Sequence, residues 1–74
     1  MERLSENLKG LRVAKKLTQE QAAEALNVSA QTISRWECGI TLPDVTKLPG
    51  LAHFYGVTID DLFAETAVGY ENYA

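Results

Sequence analysis

The 74-residue chain is poor in the side chains that carry out chemistry: it has one cysteine, one histidine, one tryptophan and two prolines. Cys38 has no partner within the chain, so no internal disulfide can hold the fold, and a reduced thiol fits a cytoplasmic setting. His53 shares its helical face with no second metal-type ligand, and cysteine and histidine form no cluster. There is no glycine-rich phosphate loop, and no nucleophile has a base and an orienting group at workable spacing. The adjacent acids Asp60 and Asp61 stand at a helix start, where carboxylates favour the dipole. These absences argue against an enzyme, and no metal or cofactor is expected. Long apolar runs are missing too. Hydrophobic residues make up 46% of the chain, enough for one core and too scattered to span a bilayer. Met1 to Ser5 has no apolar stretch, so no signal peptide is expected. A chain this short buries only about 60% of its unfolded surface, so its stability should be modest.

What is present is concentrated between Thr18 and Glu37. Thr18 precedes a helix-forming run and Gln21 follows three residues later, a capping-box pattern in which two side chains satisfy amides left free at a helix start. Ala22, Ala23 and Leu26 then share one helical face. Asn27 enters the left-handed region readily, so it can end the helix and redirect the chain. Val28 fills the bend, and Ser29 is a strong N-cap for a second helix. Two helices crossing steeply over so short a turn need a small side chain at their contact, which Ala23 supplies. Residues 18–37 therefore read as two short helices joined by a tight turn.

The second of these helices carries the functional signal. Ile33 is placed at the centre of its buried face, with a step of about 100° per residue. Trp36 and Glu37 then lie toward the core, with Ser29 and Ala30 one turn earlier. Gln31 and Arg35 lie on the opposite side, one above the other at i and i+4, flanked by Thr32 and Ser34. A solvated polar face has the same periodicity. The side-chain chemistry favours a sharper reading: glutamine pairs bidentately with adenine N6 and N7, arginine with guanine O6 and N7. A helix propped by its neighbour and offering these two groups suits the DNA major groove.

Charge is the main objection, because autonomous DNA binders are usually basic and this chain has a net charge of −3. Its distribution softens the objection. All seven bases (Arg3, Lys9, Arg12, Lys15, Lys16, Arg35 and Lys47) precede residue 48, along with six acids; the remainder has four acids and no base. With few cations to displace counterions, non-specific affinity should be weak and its salt dependence shallow. Helix N-termini can contact phosphate without formal charge. The candidate phosphate contacts are Thr18, Gln19, Ser29, the indole N–H of Trp36, and Lys47.

The other elements follow from similar signals. A first helix is expected from about Ser5, its N-cap, to Lys15, with Leu4, Leu8 and Leu11 as its core stripe. Gly39 ends the helix that starts after Ser29, with Cys38 in the cap region. Residues 40–43 form a loop. A turn is expected over residues 44–48, with the next helix beginning near Pro49, where a missing N–H does no harm. Leu48, Leu51, Ala52 and Tyr55 should pack on the bundle, and Gly56 should end this helix. Thr58 and Asp61 form a second capping box, and Ile59, Leu62 and Phe63 are expected to close the core. The division is a domain over residues 1–63 and a tail over 64–74, read as a frayed end, a dimer contact or the start of a further region.

These motifs resemble the Cro/C1-type helix-turn-helix domain (XRE family) of phage repressors and many bacterial regulators. The likeness rests on Leu17-Thr18-Gln19-Glu20-Gln21, Ala23, Leu26, Asn27-Val28-Ser29, Gln31-Thr32-Ile33-Ser34 and Trp36-Glu37, followed by Gly39 and Pro43. It continues through Leu51-Ala52 and the run from Tyr55 to Phe63, covering roughly residues 4 to 63. Asn27 stands where the family usually has glycine, and Ala22 where it usually has leucine. The resemblance implies an all-α, lambda-repressor-like bundle of five helices that binds an inverted-repeat operator as a homodimer. It implies that Ala30, Gln31, Thr32, Ser34 and Arg35 face bases, and that Ser29 touches a phosphate. Gln19 would touch both a phosphate and Gln31, and Arg12 would pair with Glu37 to tie the first helix to the reading helix. The expected function is a sequence-specific, cytoplasmic, nucleoid-associated transcriptional regulator of bacterial or phage type, with repression as the expected mode. Two alternatives stay open: an antitoxin that also holds a toxin, and a protein-interaction module that kept the fold. A further sensing or oligomerising C-terminal domain also fits.

Overall fold

Leu4, Leu8 and Leu11 line the inner face of α1 (Glu2–Ala14) and are at most 4% exposed. Around that stripe the computed structural model, which describes residues 2–65, folds α2 (Gln19–Leu26), α3 (Ala30–Cys38), a short 3-10 turn (Val45–Lys47), α4 (Leu48–Tyr55) and α5 (Ile59–Leu62). The described residues contain no strand, and the all-α, five-helix architecture expected from sequence is observed. None of these helices is long and apolar enough to cross a membrane.

Local chemistry sets most of the boundaries. Thr18 Oγ1 accepts from Gln21 N at 3.0 Å, and Gln21 Oε1 accepts from Thr18 N at 2.8 Å, completing the box that starts α2. Asn27 ends α2 in the left-handed region at φ 61° and ψ 44°. Gly39 and Gly56 do the same for α3 and α4. The 3-10 turn precedes Pro49, which occupies the first turn of α4 as its lack of an N–H requires.

The start of α1 differs from expectation. The helix begins at Glu2, so Ser5 is an interior residue rather than a cap, and it is only 5% exposed. Its small side chain faces the end of α3, where a Cβ built on Gly39 would lie 3.2 Å from Ser5 Oγ. Ser5 therefore permits close approach of two helices, a packing role that capping rules do not register. The other end also differs: Lys15 lies outside the helix, and Lys16 turns the chain at φ 61°.

The core is continuous. Ile33 and Trp36 from α3 meet the α1 stripe, and Leu51, Ala52 and Tyr55 from α4 close over them. Ala22 and Ala23 are almost fully enclosed where α2 packs on its neighbours. The expected closure by α5 is only partly realised. Leu62 is 0% exposed, but Ile59 and Phe63 remain 39% and 37% exposed. One helical turn lying across α1 and α4 directs Leu62 inward and leaves the other two at the rim.

Candidate nucleic-acid interface

Ser29 builds the start of α3. Its Oγ accepts from Thr32 N at 3.0 Å and lies 2.9 Å from Thr32 Oγ1. Ile33 and Trp36 anchor the helix in the core at 2% and 6% exposure, which fixes its rotation. Gln31 and Arg35 consequently lie exposed on the outer face, one turn apart, with Thr32 and Ser34 half-buried beside them. Ala30 is half-buried and packed against the core, leaving only part of its methyl to meet a base. The five expected base-reading positions thus fall on one helix, with the two longest polar side chains outermost.

The phosphate candidates do not form one uniform set. Thr18, Ser29 and Lys47 are exposed at the starts of α2, α3 and α4 respectively. Trp36 lies in the core as its place on the inner face implies, at 6% exposure, which leaves little of its indole to meet a phosphate. Gln19 also differs. Its Nε2 donates to Glu37 Oε1 at 3.2 Å, and it makes no hydrogen bond to Gln31. The amide finds a buried carboxylate within reach, and a charged acceptor is stronger than a neutral amide.

That carboxylate is the hub of the helix-turn-helix. Arg12 Nε donates to Glu37 Oε2 at 2.7 Å and Arg12 Nη2 to Glu37 Oε1 at 3.0 Å, a two-pronged pair between side chains 12% and 3% exposed. The pair implied by the resemblance is therefore present and bidentate. Arg12 Nη1 also donates to the carbonyl of Leu17 at 2.8 Å, fixing the turn before α2. One guanidinium thus holds α1, the α2 entry and the end of α3 together. The hydrogen bond to Glu37 raises the Arg12 pKa against the opposing effect of burial, so the cation persists at every ordinary pH.

Tyr55 borders the same cluster, sharing a small recess with Trp36 and Glu37. Burial first, and the negative field of Glu37 second, push its phenol from 10.0 up to about 12, with Arg12 opposing. The unfolded chain therefore loses this proton before the folded one does. Folding stability should be intact below about pH 10 and should fall by about 2–3 kcal/mol as the pH rises to about 12. Tyr55→Phe should remove that slope in denaturant melts across this range. A mutant that keeps the same alkaline slope as the parent would contradict the assignment.

Tyr55 packs in the core as expected, whereas sequence reasoning missed Asn7. Nothing in the local pattern marks Asn7, a polar residue beside an apolar stripe. Its partners lie more than fifty residues away.

Comparison with known proteins agrees with this geometry. A family model described as helix-turn-helix matches residues 8–62, so the chain belongs to the helix-turn-helix family. It is 47% identical over 60 residues to the HTH-type transcriptional activator BcrR of Enterococcus faecalis, a match covering 81% of this chain and 29% of that protein. It is 34% identical over 62 residues to the cryptic phage CTXphi transcriptional repressor RstR of Vibrio cholerae, covering 84% of this chain and 56% of the repressor. An uncharacterized HTH-type transcriptional regulator of Methanocaldococcus jannaschii is 40% identical over 60 residues, covering 81% of this chain and 91% of its own length. The chain thus spans less than two thirds of the first two relatives. No solved structure matches it.

Proposed function

We propose that this domain binds double-stranded DNA sequence-specifically and regulates transcription, with α3 lying in the major groove. The observation that carries this reading is the outward placement of Gln31 and Arg35 on a helix anchored by Ile33 and Trp36. In this reading Arg35 reads a guanine and Gln31 an adenine, with Thr32, Ser34 and the Ala30 methyl adding shape and apolar contacts. Thr18, Ser29 and Lys47 meet phosphates at three helix starts, and Gln19, with one N–H on Glu37, has a second N–H to offer. The operator is an inverted repeat occupied by a homodimer, because two copies double a small set of contacts. Repression is the simpler mode, since occupancy alone blocks other proteins, whereas activation needs a further contact. Both modes appear among the relatives' names.

The test is selection of bound duplexes from a random DNA pool at low salt. Enrichment of an inverted repeat with conserved G·C and A·T positions in each half-site is expected. A second reading, a protein-interaction module, draws on the net charge of −3; it predicts no enrichment at any salt concentration. An antitoxin would instead enrich a repeat and also co-purify with a small partner protein.

A further inference from the structure

The helices of this domain do not all end in the same way. α2, α3 and α4 close on Asn27, Gly39 and Gly56, left-handed residues whose amides satisfy the preceding carbonyls. α5 ends without a left-handed residue: Phe63 follows it at φ −105°, and the amides there bond only the Asp60 and Asp61 carbonyls. The next carbonyls, of Leu62 and Ala64, are taken by a side chain from α1: Asn7 Nδ2 donates to both at 2.9 Å, across 55 and 57 residues of sequence. Asn7 is 1% exposed, and its Oδ1 finds no partner among the described residues. Burying an amide oxygen without a partner is costly. A leucine at this position would avoid that cost, so the two donor bonds are what asparagine supplies.

α5 is a single turn of four residues, too short to persist unaided. Its capping box is internal to it, and among the described residues three side-chain ties join this region to the rest of the bundle. One is the buried Leu62 side chain, and another is the pair of bonds from Asn7. The third is a 3.6 Å ion pair between Arg3 and Glu65, whose side chains are 49% and 88% exposed and which is therefore weak. The contacts of α5 are with α1 and α4, whereas the reading face belongs to α3.

We infer that Asn7 is a latch: it makes α5 a unit that can be released while α1 to α4 stay folded. With the latch closed, α5 is registered to α1, and α1 grips α3 through Arg12 and Glu37. With the latch open, α5 is held by its link to α4. The latch therefore sets how rigidly α5 is coupled to the reading helix, a consequence that rests on the DNA-binding reading above. The latch itself does not depend on that reading.

Amide hydrogen exchange, resolved by residue on the 74-residue chain without DNA, tests it. Asn7→Leu removes both donors and keeps apolar volume; Asn7→Asp keeps the shape and removes the donors. In both variants the amides of Asp61, Phe63 and Ala64, which are bonded within the α5 turn, should exchange about tenfold or more faster. Amides in α2 and α3 should keep the parental rates. Unchanged exchange at the three α5 amides would overturn the latch. So would an equal rise throughout α1 to α4, or failure of both variants to fold, because α5 would then not be separable. None of these outcomes bears on DNA binding, which the selection experiment tests on its own.

Discussion

Glu37→Ala is expected to remove about 3–5 kcal/mol of folding stability. The size follows from burial. Arg12 and Glu37 are 12% and 3% exposed, so removing the carboxylate leaves a guanidinium largely out of water with only the Leu17 carbonyl as acceptor. Gln19 loses its partner at the same time. A domain of 74 residues has only about 4–11 kcal/mol in total at the usual 0.05–0.15 per residue. The variant should therefore approach or cross its unfolding midpoint near room temperature. Arg3 and Glu6 provide the contrast. Their pair is 2.9 Å long but 49% and 61% exposed, so Arg3→Ala should cost less than about 1 kcal/mol. Raising the pH does not substitute for the mutation. A raised folded-state pKa on Arg12 contributes stability that is complete below the unfolded value and lost only above it, beyond ordinary alkaline conditions. The double variant Arg12→Met with Glu37→Leu should lose much less than the two single alanine variants combined, because no charge is left stranded. Urea melts measure all of these. An unchanged midpoint for Glu37→Ala would refute the buried pair.

The parts of this fold legible in the sequence are those governed by local chemistry. The Thr18–Gln21 and Thr58–Asp61 boxes, the left-handed Asn27, the glycine stops at Gly39 and Gly56, and Pro49 in a first helical turn each depend on a few neighbouring residues. The outward placement of Gln31 and Arg35 follows from helical period alone, once Ile33 is taken as the inner residue. What was not legible depends on contacts between distant elements. Ser5 carries a capping residue's signature, yet it is buried because α3 ends against it. Asn7 caps α5 from α1, and no pattern in either segment announces that. Gln19 could reach several acceptors, and the choice of Glu37 depends on the crossing of α2 and α3. Trp36 was legible as an inner-face residue, but how far α1 and α4 cover its indole depends on their packing. The expectations for the tail beyond residue 65 lie outside the described residues.

Arg35→Ala should weaken binding to the selected operator by about 1–3 kcal/mol, and Gln31→Ala by a similar amount, because each removes one bidentate base contact. The two side chains sit one turn apart and would contact different base pairs, so the double variant should lose about 2–6 kcal/mol, roughly thirty-fold to more than ten-thousand-fold in Kd. Both residues are exposed, so neither substitution should shift the unfolding midpoint by more than about 0.5 kcal/mol. That separates recognition from folding, which Glu37→Ala cannot do. Specificity is the sharper readout. Arg35→Ala should bind the parent operator and one changed at the contacted G·C pair equally well, and Gln31→Ala should do the same at an A·T pair. A lysine at position 47 changed to alanine should instead weaken all sequences alike and flatten the salt dependence, as loss of a phosphate contact does. Titrations by fluorescence anisotropy against matched, singly changed and random duplexes separate these patterns. Equal losses on operator and random DNA for Arg35→Ala and Gln31→Ala would mean that these groups bind the backbone and that the bases are read elsewhere.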